Sequence, residues 1–326
     1  MQILHTKYEP DLPNLNILIQ KKYLKSKSKE YGWFINEEFC LGYIIEKKFI
    51  FKRLVFTLET VRIKDGNSNE KEFLNGVVSY IQSNLKYVDF IYQPNTTALF
   101  QYTPNNSIFC RFGSYTLDLT MTEEELFKGL HSKHRNVVLN AIKKNVSIHH
   151  GPEYINDVFA IIKETMVRQN RPYTSLNQIN EYHNHLGNNV TFFVAKSNEE
   201  VVGGAIIVWQ KNNTGYYLHG GSSRSAINGS LNLLQWEIIK FLKLNQVLNY
   251  NFVGARVKPI PGSKQEGLQR FKVRFGAELK TGYLWKYPTK KIMYSLYNLT
   301  ANFYSIVKFR KVYKGDIIDE ENNIDV

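Results

Sequence analysis

Apolar and polar positions alternate near the start of the chain in YGWFIN, FCLGYIIE and KFIFKRLVFTLE, and this predicts three successive strands. A 3.6-residue period then predicts a helix from Asn69 to Leu85, followed by the strand YVDFIYQ. This is the order of an antiparallel meander packed by helices. A second helical block opens at Thr122, which makes a capping-box pattern with Glu125, and it continues through HSKHRNVVLNAIKKN with Val138, Ala141 and Ile142 on one face. From Val146 the order echoes the first half. A short strand, VSIHH, precedes the helices PEYINDVFAIIKETMVRQN and SLNQINEYHNHL, and three strands follow in NVTFFVAK, EVVGGAIIVWQ and TGYYLHGG. The helix SLNLLQWEIIKFLKL comes next, with a core stripe of Leu231, Leu234, Ile238 and Leu242, and then the strand VLNYNFVG. Last, QEGLQRFKVRFGAEL sets Leu268, Phe271 and Phe275 on one helical face with Lys272 at its edge; Gly276 supplies a stop before the extended AELKTGYLWKY.

Composition adds scale to this pattern. With 326 residues, 43% apolar and 14% aromatic, the chain can fill two cores. The expected division is a first domain over 1–144, a second over 145–288, a helix within 289–315 returning to the first domain, and an acidic, disordered tail over 316–326. The formal net charge is +13, and the tail holds five of the 29 acids and no Lys or Arg, so residues 1–315 carry 42 minus 24, or +18. Such an excess points to a polyanionic partner: a phosphate-rich substrate, nucleic acid or an anionic membrane face. The densest basic cluster is Lys21, Lys22, Lys25, Lys27 and Lys29, which either grips phosphates or forms a solvated face. Cys40 and Cys110 stand in no metal or redox spacing and read as buried thiols of a reducing compartment. No stretch approaches the ~18 apolar residues of a membrane helix and no signal pattern opens the chain, so a cytoplasmic protein without a transmembrane segment or metal is expected.

The candidate chemistry lies in three segments. A lysine at the edge of an apolar face ordinarily packs its stem and sends its ammonium to water. The turn SSRSAINGS leads from a strand into a helix, whose free N–H groups favour an anion, and Arg224 adds a fork of donors. Gly220, Gly221 and Gly229 read equally as backbone requirements of such a turn. Arg135 lies three residues before Val138 at the margin of an apolar face, where it either neutralises a substrate phosphate or pairs with an acidic neighbour.

Taken together, this α+β order resembles the GNAT acyltransferase fold. GLHSKHRNVVLNAIKKNVSI, YYLHGGSSRSAINGSLNLLQWEIIK and NYNFVGA...GLQRFKVRFGAEL are similar to three motifs of the Fem family, over roughly residues 115 to 285. The resemblance implies two tandem GNAT-like domains with mixed, largely antiparallel sheets packed by helices. It also implies transfer of an amino acid from aminoacyl-tRNA to a peptidoglycan precursor, a phosphorylated cell-envelope acceptor, with peripheral membrane contact and no cofactor. Phe271 and Lys272 are carried over as residues of the acyl-transfer cleft, and Arg135, Tyr217, Gly220, Gly221, Ser222 and Arg224 as substrate-binding. Arg224 stands five residues before Gly229, not three, so the usual CoA-cradling signature is absent; Asn251 stands where the Fem pattern often has Asp, which removes a general base. An acyl-CoA-dependent N-acyltransferase acting on a sugar, lipid or small amine is the alternative, and a non-catalytic RNA-binding protein is another.

Overall fold

The computed structural model describes residues 2–67, 69–93, 95–310, 312–313 and 315–322. In chain order the elements are β1 (Leu4–Thr6), α1 (Lys21–Lys27), β2 (Tyr31–Ile35), β3 (Phe39–Lys48), β4 (Phe51–Phe56), β5 (Val61–Arg62), α2 (Glu70–Asn84), β6 (Phe90–Ile91) and β7 (Ile108–Asp118). They continue with α3 (Glu123–Gly129), α4 (Ser132–Lys143), β8 (Ser147–His150), α5 (Ile155–Arg168), α6 (Leu176–Leu186), β9 (Val190–Ser197), β10 (Glu200–Trp209) and β11 (Thr214–Ser222). The last are α7 (Ser230–Leu244), β12 (Asn249–Asn251), α8 (Lys264–Val273), β13 (Glu278–Lys286), α9 (Lys291–Phe309) and α10 (Ile317–Asn322).

The chain divides into two compact units. The first comprises residues up to Ser114, Arg256–Lys258 and residues from Thr281 onward; the second comprises Tyr115–Ala255 and Pro259–Lys280. The expected boundary after residue 144 is therefore corrected to the middle of β7. The reason is packing: Leu126 and Leu130 around α3, with Val138 and Ala141 of α4, are buried in one core with Ala205, Ile207, Leu234 and Ile238. A helix pair that reads as the end of one domain thus opens the next.

In the first unit the strands run β1-β2-β3-β4-β6, with β5 beside β3. Among its described residues only β4 and β6 pair in parallel. Asn69 caps α2 by accepting from the Lys71 N–H, and the helix buries Phe73, Leu74, Val77 and Ile81 beside Phe34, Tyr43, Phe56 and Trp285. Each such side chain stabilises the fold by about 2 kcal/mol. α9 lies on this unit through Tyr297, packed with Phe51 and Phe90. The expectation of disorder from residue 316 is corrected by α10, whose Ile318 is buried with Cys110, Phe112 and Leu284. The acids of this segment have partners: Asp316 and Asp319 accept from buried Lys286 at 2.9 and 2.6 Å, while Glu320 and Glu321 pair with Arg256. Residues 323–326 of the expected tail lie outside the described residues.

In the second unit the strands run β7-β12-β11-β10-β9-β8. A Cβ added at Gly203 would meet Leu231 of α7, whereas one at neighbouring Gly204 would meet Val158 of α5, so the two helices cover opposite faces. β11 and β12 pair in parallel over three residues only, Thr214–Tyr216 with Asn249–Asn251. Beyond this point the ladder is open.

Candidate active site

The opening between β11 and β12 gathers several of the chemically capable side chains. Along β11 the register with β10 slips: Ile207 faces Tyr217 while Ile206 faces His219, which leaves Leu218 as an extra residue. Such a bulge shifts the alternation of side chains, so Tyr217 and Gly220 come to share a face. The Tyr217 hydroxyl then occupies the space where a side chain on residue 220 would begin; a Cβ there would fall 1.8 Å from it. That hydroxyl makes no hydrogen bond among the described residues, and burial pushes the phenol up to about 12, so it stays protonated. Gly221 serves a different contact. A Cβ on it would stand 2.3 Å from the Thr165 hydroxyl of α5, which donates to the Ser222 carbonyl and accepts from the Ser222 N–H, both at 3.0 Å.

On the other side of the opening, β12 ends in a left-handed turn. Val253 has φ 44° and Gly254 φ 46°. A β-branched residue in this region is strained by about 1–3 kcal/mol and persists only where its surroundings hold it. Two side chains do so. Asn251 accepts from the Val253 N–H at 2.7 Å, and the Lys272 ammonium donates to the carbonyls of Val253 and Gly254, the second at 2.6 Å. Lys272 therefore does not send its ammonium out to water as an edge lysine ordinarily would. Burial lowers it from the usual 10.5 to about 8. An ammonium has three donors, and two are used here.

Phe271 packs between the rings of His134 and Phe275, with centroids at 5.3 and 5.1 Å. His134 is buried, and burial pulls its imidazole down to about 4, so it is neutral and its Nε2–H donates to the Phe271 carbonyl at 3.2 Å. α4 thereby fixes the rotation of α8, and so the aim of Lys272.

The remaining sequence candidates lie differently. Arg135 pairs with no acid among the described residues; its guanidinium donates to the carbonyls of Lys128 and Leu130, at the C-terminal end of α3, where a cation is favoured. Of the two roles weighed for Arg135, a substrate phosphate or an acidic neighbour, neither is what its guanidinium meets here: its partners are the carbonyls at a helix terminus. Arg224 has an exposed side chain, and its N–H donates to Glu164 of α5 at 3.2 Å. Arg168 donates to the Ser222 carbonyl at 2.9 Å and pairs with Glu164. The start of α7, where an anion was expected, is closed: Gly229, at φ 102°, and Ser230 are buried, and a Cβ on Gly229 would fall 2.6 Å from the Val137 carbonyl of α4. Tyr217 and Gly220 thus lie on β11 just past its last pair with β12, Lys272 is tied to the turn that ends β12, Gly221 and Ser222 are anchored to α5, and Arg135 is used at the end of α3. Sequence reading missed Val253, Thr165 and Glu164. Gly254 beside Val253 is the one local signal of the turn, and Thr165, 57 residues from Ser222, gives none.

Comparison with known proteins bears on the same region. The FemAB family model matches residues 173–302, a span that contains β11, β12 and α8. By sequence the chain matches no curated protein. By structure it is similar to FemX, at 14% identity and a TM-score of 0.65, over 88% of this chain and 95% of that one. It is also similar to L-PGS from Bacillus licheniformis, at 14% identity and 0.51, over 80% and 85%. A DUF2156 domain from Agrobacterium fabrum aligns at 11% identity and 0.54, over 83% and 89%. At these identities the solved structures establish the fold, which is the tandem GNAT-like arrangement of mixed sheets packed by helices. Residues 173–302 thus resemble the FemAB family, and the chain shares the fold of FemX.

Proposed function

We propose that the protein transfers an aminoacyl group from aminoacyl-tRNA to the amine of a phosphorylated cell-envelope precursor, a peptidoglycan precursor being the first candidate. The observation that carries this reading is the opened ladder between β11 and β12, with a protonated Tyr217 hydroxyl on one wall and Lys272 on the other, inside the span that matches the FemAB family. The acceptor amine attacks the ester carbonyl and the carbonyl oxygen gains charge. The third N–H of Lys272 and the Tyr217 O–H are donors for that oxyanion, strengthened where water is excluded. Collapse of the intermediate breaks the ester bond, and the proton lost by the amine leaves with the ribose oxygen. Phe271 borders the donor end, while Ser222 and the exposed Arg224 meet the acceptor and its phosphate. Asn251 cannot serve as a base, so proton transfer runs between substrate groups.

The test is to incubate the purified chain with labelled aminoacyl-tRNA or acyl-CoA and a panel of amine acceptors that includes nucleotide-linked peptidoglycan precursors, and to search for a new amide by mass spectrometry. Amide formed from aminoacyl-tRNA is the expected result. Transfer from acyl-CoA alone overturns the donor assignment, and tRNA binding without any transfer favours a non-catalytic RNA-binding role.

A further inference from the structure

α9 wears its hydrophobic side outward. At about 100° per residue, Ile292, Leu296, Leu299, Phe303, Ile306 and Val307 fall within an arc of about 100°. All six are exposed, Ile292 at 74%, Phe303 at 71%, Val307 at 66% and Leu299 at 65%. The opposite side carries Tyr297 and Ala301, which are buried against the first unit. A surface helix normally turns polar residues to water, so a continuous apolar stripe of three turns or more marks a docking surface.

A second element extends this face. The turn between β3 and β4 is made of Phe49 and Ile50 alone, where tight hairpins ordinarily take Asn-Gly or Gly. Phe49 sits at φ 55°, a strained conformation for a bulky residue, and Ile50 projects with 81% exposure. The turn lies alongside α9, with the Phe49 ring 5.5 Å from that of Tyr304. Lys47 and Lys48 flank it.

Charge identifies the occupant. From residue 279 to residue 315 the chain contains no Asp or Glu and eight Lys or Arg; Lys286 is buried against Asp316 and Asp319 and Lys290 pairs with Asp89 at 2.9 Å, so the cations that mark the ends of α9 are Lys291 at one and Lys308 and Arg310 at the other. An apolar stripe with cationic ends suits an interface that is hydrocarbon beneath and anionic above. A second copy of the chain suits it poorly, because either orientation of two such helices brings cationic ends together, and Asp89, the acid beside one end, is already paired with Lys290. We infer that α9 and the β3–β4 turn form one face by which the protein seats on an anionic lipid membrane, with Leu299, Phe303 and Ile50 entering the acyl boundary and the lysines at the headgroups. No described helix is long and apolar enough to cross a membrane.

The experiment is flotation of the full chain with phosphatidylcholine vesicles, with and without phosphatidylglycerol, alongside sedimentation velocity to fix its oligomeric state. The expected result is a monomer that binds only the phosphatidylglycerol vesicles. Leu299→Ser with Phe303→Ser should lower the partition coefficient at least tenfold, and Ile50→Ser should lower it less; melting should be unchanged, since all three side chains are exposed. Failure of the wild-type chain to bind phosphatidylglycerol vesicles overturns the inference. Wild-type-like binding by the Leu299, Phe303 double variant does so too, because attraction would then arise from net charge alone. A solution dimer that the double variant splits assigns the face to self-association instead.

Discussion

Lys272 holds a strained turn and, in the proposed reaction, also supplies a donor, and the two roles separate experimentally. Lys272→Met keeps the stem and should lower transfer at least tenfold, about 1.4 kcal/mol in barrier, in a protein that remains folded by circular dichroism. If its structural part is to hold Val253 in the left-handed region, the stability cost of Lys272→Met should shrink by about 1 kcal/mol in a Val253→Gly background, where the turn needs no holding. Additive costs in urea melts would remove that role. The lowered pKa gives a second test. With the ammonium at about 8 when folded and 10.5 when unfolded, the unfolded chain binds the proton more tightly, so the charge weakens folding below pH 8 and this cost disappears as pH rises toward 10.5. Activity should show the opposite trend, falling as pH rises through about 8, and Lys272→Arg should carry that limb upward. The position of Lys272 on α8 was legible from helical period. Its partners were not, since the carbonyls of Val253 and Gly254 are 19 and 18 residues away and belong to a turn that no propensity predicts.

Among the elements, α10 is the one whose composition misleads. DIIDEEN reads as a solvated acidic tail, yet Ile318 is buried and the acids meet Lys286 and Arg256. Lys286 is 1% exposed. Burial works to lower its ammonium, but Asp316 and Asp319 prevail and hold it above the usual value; Asp316 in turn is raised, because burial and its acidic neighbour outweigh one lysine shared between two carboxyls. Breaking such a cluster from one side leaves a buried charge. Asp316→Asn with Asp319→Asn should cost about 3–5 kcal/mol in equilibrium unfolding, and adding Lys286→Met should recover most of it. A triple variant no more stable than the double would show that Lys286 reaches water. Elements with a local signature, such as the Thr122–Glu125 capping box of α3 and the Leu234, Ile238, Leu242 stripe of α7, were readable because everything that specifies them lies within a few turns. The boundary at β7 and the capping of α3 by Arg135 were not, since both depend on which core a helix joins.

For the whole molecule, the net charge of +13 takes on a sharper meaning once α10 is placed. Four of the five acids after residue 315 are engaged by two cations of the first unit, so they are not a loose counterweight to the remaining basic residues. A tRNA donor meeting that field should bind with log K falling by roughly 0.7–0.9 per phosphate neutralised as log salt rises. Acyl-CoA, with few phosphates, should show a shallow slope over about 50–200 mM, and fluorescence anisotropy over that range distinguishes the two. Tight, salt-insensitive acyl-CoA binding without tRNA association would remove the donor proposed above.

The nesting of one unit within the other also sets an order of events during synthesis. All of the second unit has been synthesised by Lys280, whereas the first still lacks Lys286, Tyr297 and Ile318. Domains generally fold as units, and a core missing its last strand and its charge partners cannot close. The second unit should therefore become protease-resistant on stalled ribosomes first, with the residues up to Ser114 waiting, sticky and in need of shelter, for those from Thr281 onward to arrive.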